Sequence, residues 1–175
     1  MIGHVAIGAL AWGLGSAVFR GGGRTGPRVV ERLSQCTVSV LAYRADRNSI
    51  IDAHSGRRGF SHVALQGCEA GTDGPLILDC RPSRGVVRVP DRELDWSRIE
   101  ILPLPVTWAA EAYGCARASV GQPYALGDDG HVCSGWIYSC LPMDAQRWID
   151  RWGDLAFADG TVSPNQIVAA LRGLT

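Results

Sequence analysis

Between about residues 36 and 105 the chain is written in short β-branched runs, and from there to its end in helical ones; no other feature limits the fold as much. CTVSVLAYR (36–44), FSHVALQ (60–66), PLILDC (75–80) and RGVVRVP (84–90) read as strands, with GTDG (71–74) as a tight turn between the second and third. IEILPLP (99–105) reads as a fifth strand stopped by its two prolines. TWAAEAYGCARASVG (107–121) is then the best helix in the chain, closed by Gly121. A second helix is expected to begin near Val132 or Cys133 and a third over MDAQRWIDRWG (143–153). Ser163 caps the last, with Pro164 at its first position and Gly173 at its end. A shorter helix is expected over 29–34. Strands grouped together with helices after them predict an α+β domain.

The 175 residues suit one such domain, placed over 29–175, with an apolar segment and a Gly-rich linker, RGGGRTGP (20–27), within 1–28 ahead of it. The linker lacks the Lys-Ser/Thr of a phosphate-binding loop. Residues 1–19, MIGHVAIGALAWGLGSAVF, carry no formal charge, and Arg20, Arg24 and Arg28 follow the apolar stretch, whereas a secretory signal places its charge before it. Three readings stay open for this stretch: a packed or amphipathic helix, a membrane anchor and a signal. Membrane contact through residues 1–19 is allowed by the first two. If the stretch spanned a bilayer, those arginines would hold the following domain in the cytoplasm. The expected location is the bacterial cytoplasm or a phage virion ahead of export through the general secretory route.

Seventeen basic residues balance seventeen acidic ones, which argues against nucleic acid as the main partner. Every basic residue is Arg. Without Lys, Schiff-base and Ser–Lys chemistry are excluded. Arg81, Arg84, Arg88 and Arg92 recur along one stretch and read as a solvated face. The six cysteines form no C-x-x-C pair, and Cys115 and Cys140, both on expected helices, read as small buried hydrophobes. His131, Cys133 and Cys140 lack the second ligand pair that a zinc site needs, so neither metal nor cofactor is expected.

The chemistry is concentrated in ARASVGQPYALGDDGHVCSGWIYSC (116–140). A cysteine stands where a Gly- and Asp-rich loop becomes a helix, facing the positive end of the dipole and the unpaired N–H groups of the first turn. Those N–H groups are candidates for an oxyanion hole. Ser134 and Gly135 are small and keep the backbone open to a substrate carbonyl. Gly135 costs the helix about 1 kcal/mol relative to Ala, which points to a purpose other than helix formation.

G-Q-P-Y (121–124), followed nine residues later by C-S-G-W-I (133–137), resembles the nucleophile region of the NlpC-type cell-wall peptidases. That family places a G-x-P-Y turn before an Asp-Cys-Ser-Gly helix start; here Val132 stands at the aspartate position. Its usual order puts the catalytic histidine downstream of the cysteine, yet no histidine follows Cys133 in this chain. FSHVALQ lies upstream instead. The order His then Cys is similar to the circularly permuted branch, the YiiX-like amidases and the lecithin retinol acyltransferase group. The tail DGTVSPNQIVAAL resembles the helix that closes YiiX-like chains, although Gly135 stands where that branch often has Glu.

The resemblance implies a papain-like fold, with a central antiparallel sheet packed against helices and the nucleophile at a helix N-terminus. It implies Cys133 as nucleophile, His62 as base and Asp79 as the group that orients the imidazole. His54 and Asp73 are the alternatives for the last two roles. Tyr124 would close one side of the cleft, and His131 would line its mouth. The implied reaction is thiol acyl transfer on an amide or peptide bond, first of all in bacterial peptidoglycan, with a phage tail or a secretion machine as carrier. Two other readings keep the same scaffold: a lipid or N-acyl transferase, and a non-catalytic structural or binding protein.

Overall fold

The structure, a computed structural model, describes residues 37–45, 59–68, 75–124, 133–157 and 159–174. The N-terminal segment, linker and helix expected within 1–34 lie outside the described residues, as do His54, Asp73 and His131.

Five strands form one antiparallel sheet: β1 (Ser39–Arg44), β2 (Phe60–Gly67), β3 (Leu76–Arg81), β4 (Gly85–Val89) and β5 (Ile99–Pro103). Their spatial order is β4-β3-β2-β1-β5, so β1 and β2 are central. Four α-helices follow among the described residues: α1 (Val106–Ala118), α2 (Cys133–Cys140), α3 (Met143–Asp150) and α4 (Pro164–Arg172). The domain is therefore α+β.

Both sheet faces are buried, which is why its inner strands read as apolar runs and not as a clean alternation. Val40, Ala42, Val63, Leu65 and Leu78 point to the helical side, where they meet Trp108, Trp136, Ile137 and Ile167. Leu41, Ala64 and Ile77 point the other way. That second face is closed by Leu94 and Trp96, from the two short 3-10 turns between β4 and β5. One strand thus feeds two cores.

Helix α2 packs on β2 and β3 and is flanked by α1 and α4. At its centre Trp136 is fully buried, and its indole Nε1 donates to Ser119 Oγ at 2.7 Å. The Ser119 hydroxyl in turn donates to the Ala116 carbonyl at 2.9 Å, so a large apolar side chain is buried without stranding its one donor. At the start of α4, Ser163 Oγ accepts from the Gln166 amide at 3.1 Å and Pro164 occupies the first turn, as the sequence predicts.

The helix expected to run to Gly121 ends at Ala118, and the following residues turn back onto the sheet. The Gly121 amide donates to the Val86 carbonyl at 2.8 Å, and the Val86 amide donates to the Gln122 carbonyl at 2.9 Å. These bonds extend β4 sideways, and their closeness requires a glycine at 85: a Cβ there would meet the Gln122 carbonyl oxygen at 2.1 Å, at a φ of +69°. The third helix likewise stops at Asp150, and Gly153–Leu155 forms a separate 3-10 turn.

Cys115 and Cys140 depart from the sequence reading. They are not independent buried hydrophobes but a disulfide joining α1 to the end of α2, with Cα atoms 5.2 Å apart. Cys68 is also disulfide-bonded. Two helices packed side by side bring together cysteines 25 residues apart, a proximity that spacing alone cannot reveal. A link closing a loop of that length restrains the unfolded chain by about 3 kcal/mol. Cys140→Ser, or reduction of the wild type, should accordingly lower the melting temperature by roughly 6–12 °C in differential scanning calorimetry. An unchanged midpoint would show that this link contributes nothing to stability.

Candidate active site

Cys133 is the first residue of α2 and is buried, so its thiol lies at the positive end of that helix, beside the amides of the first turn. α2 packs on β2, which carries His62, and on β3, which carries Asp79. The structure brings the three together. His62 Nε2 meets Asp79 Oδ1 at 2.5 Å, and the Cys133 side chain is near enough to act on the imidazole electrostatically. Since Nε2 is committed to Asp79, Nδ1 is the nitrogen left for the sulfur.

Asp79 is 1% exposed and His62 20% exposed, so the pair is largely withdrawn from solvent. Burial by itself would push the imidazolium towards the neutral form. The charge on Cys133, with hydrogen bonding to Asp79 and to Cys133, outweighs it and holds His62 up at about 10. For Asp79, burial favours the neutral acid, but the His62 bond and charge, followed by those of Arg81, keep its carboxyl below the usual range.

Two neighbours of this site were not singled out from the sequence. Tyr43, opposite His62 in the β1–β2 ladder, packs edge-on against the imidazole with ring centroids 5.1 Å apart. Burial raises its hydroxyl above the usual phenol range. Arg81, read as part of a solvated arginine face, instead donates from Nε to Asp79 Oδ2 at 2.8 Å. Arg84, Arg88 and Arg92 are exposed. The signal for Arg81 was its spacing: two residues along a strand place side chains on the same face, so an Arg two after a candidate Asp can reach it.

Tyr124 follows the residues that β4 pins in place. It is half-buried against the main core, and its phenol is raised first by burial and then by the charges on Cys133 and Cys80. Cys80, next to Asp79 in β3, is a buried thiol outside any disulfide, pushed up to about 12, mainly by burial. Ser134 is fully buried, and its hydroxyl donates to the Val162 carbonyl at 2.6 Å, tying α2 to the segment before α4. Gly135 is half-buried in the first turn of α2. His131 lies outside the described residues, so the zinc trio that included it is not described either. Among the described residues no group of three or more His, Cys, Asp or Glu side chains is arranged to hold a metal, and no helix is long and apolar enough to cross a membrane.

Comparison with family models, with characterised proteins and with solved structures returns no match for this chain.

The coupling of His62 to Cys133 has a direct signature. Because the raised value means the imidazolium holds its proton through neutral pH, the His62 ring resonances should titrate near pH 10 and not near 6.5. In Cys133→Ala the leading upward influence is gone and the midpoint should fall. A wild-type midpoint near 6.5, unmoved by that substitution, would show that the two side chains do not interact.

Proposed function

We propose that this chain is a cysteine hydrolase of the permuted, NlpC-type papain-like fold that cleaves an amide or peptide bond through a thioester. The observation that carries the reading is one imidazole held between a sulfur at a helix N-terminus and a buried carboxylate. Nucleophile, base and orienting group are thereby in contact in the order that thiol acyl transfer requires. The succession of histidine strand, carboxylate strand and later nucleophile helix fits the permuted order.

In this mechanism the sulfur of Cys133 attacks the scissile carbonyl as its proton resides on His62. The carbonyl oxygen gains charge close to the first-turn amides of α2, which have no intrahelical acceptors and can donate to it. His62 then gives its proton to the leaving amine, forming the thioester. Water, deprotonated by the same imidazole, attacks the thioester and frees the thiol. Asp79, bonded to Nε2, keeps Nδ1 directed at the sulfur and the incoming water throughout. Tyr124 walls the cleft beside the sulfur.

Peptidoglycan is the preferred substrate class. The resemblance at residues 121–137 points to it, and the Cys115–Cys140 disulfide favours an oxidising place of action over the reducing cytoplasm. Wall peptides lie in such surroundings in many bacteria.

Purified wild type, Cys133→Ala and His62→Ala incubated with muropeptides and analysed by mass spectrometry should separate cleanly. Turnover should fall by about a thousandfold or more in each variant. His62→Ala should also slow iodoacetamide alkylation of Cys133 at pH 7 by about tenfold or more. Comparable turnover in Cys133→Ala would sink the proposal, and alkylation indifferent to His62 would argue for a scaffold without catalysis.

A further inference from the structure

The carboxylate of Asp79 is shared. Its Oδ1 meets His62 Nε2 at 2.5 Å, while its Oδ2 accepts from Arg81 Nε at 2.8 Å. Each oxygen has its own cationic partner, and with 1% of the side chain exposed, water cannot stand in for either. Arg81 is itself restrained. Its side chain is 25% exposed, and Nη1 donates to Glu93 Oε2 at 3.5 Å, from the 3-10 turn after β4. Charges therefore alternate along a line: Glu93, Arg81, Asp79, His62.

We propose that Arg81 is a positioning residue of this site, fixing the plane of the Asp79 carboxylate on His62 and keeping that carboxylate ionised. The proposal rests on reading Cys133, His62 and Asp79 as catalytic. A carboxylate buried so close to an imidazolium is at risk of taking the proton, because burial favours its neutral form. Once protonated, Asp79 would cease to stabilise the imidazolium and could present the wrong group to Nε2. A second cation on the far oxygen opposes this. The planar guanidinium also sets the carboxylate's rotation, which a flexible ammonium would do less well. Arg81 touches no reacting atom; it acts through Asp79, and it also faces Tyr43, which packs on His62. The groups around Asp79 are His62 from β2, Tyr43 from β1, and Arg81 and Cys80 from its own strand; Glu93 reaches it only through Arg81, and Cys133 only through His62.

The test is a titration of the Asp79 side-chain carboxyl by carbon NMR in wild type, Arg81→Gln and Arg81→Lys, with iodoacetamide alkylation of Cys133 followed over pH 5–9 in the same proteins. In Arg81→Gln the carboxyl midpoint should rise by about one unit or more, since the charge and the Nε donor are both lost. Arg81→Lys should give a smaller rise in the same direction. Alkylation in Arg81→Gln should fall relative to wild type by up to about twofold near pH 5, with the loss vanishing by pH 8, following the carboxyl. An unmoved Asp79 midpoint in both variants, or a rate loss equal at every pH, would overturn the proposal. If Arg81→Gln does not fold, the Arg81→Lys titration decides alone, on the same criterion. A raised midpoint together with alkylation insensitive to His62→Ala would uphold Arg81's hold on Asp79 and overturn the catalytic reading instead.

Discussion

Asp79 lies in the interior with almost none of its side chain in water, and a buried carboxylate is tolerated only where charges and donors inside the protein replace its hydration. Here the replacement comes from one imidazole and one guanidinium, delivered by the neighbouring strand β2 and by β3 itself. Removing one partner from such a pair generally costs about 3–5 kcal/mol, because the other is left uncompensated. The geometry of His62, and through it that of Cys133, therefore depends on this carboxylate being both charged and held.

The rest of the fold can be understood as what fixes that arrangement. β1 and β2 are covered on both faces and occupy the middle of the sheet, so His62 is mounted on a rigid strand. α2 is held in place from several sides: Trp136 reaches Ser119 after α1, Ser134 reaches Val162 before α4, and a disulfide ties its last residue to α1. Each link comes from a different part of the chain. A helix of eight residues has little stability of its own, and its position is set by these attachments and by packing.

Much of the secondary structure was legible because its signals are local. The strand runs and the Ser163-Pro164 start of α4 depend on residues within a few positions of each other. The ends of elements were less legible where a distant partner decides them. α1 stops at Ala118 because the residues after it find hydrogen bonds on β4, about 35 residues earlier in the chain; nothing between Thr107 and Gly121 announces this. Cys115 and Cys140 looked like ordinary helix cysteines for the same reason.

For the site, the sequence by itself determined the chemistry on offer: a cysteine opening a helix, no lysine anywhere, and histidines only upstream of that cysteine. It nominated His62 and Asp79 by likeness to a family, without any physical tie between them. Only the tertiary structure decided that these side chains meet, that Ser134 is spent on Val162, and that Arg81 turns inward while its neighbouring arginines face water. The physical reason is that burial and pairing of charge are properties of a packed interior. They arise when β2, β3 and α2 are laid against one another, and no short stretch of the chain contains them.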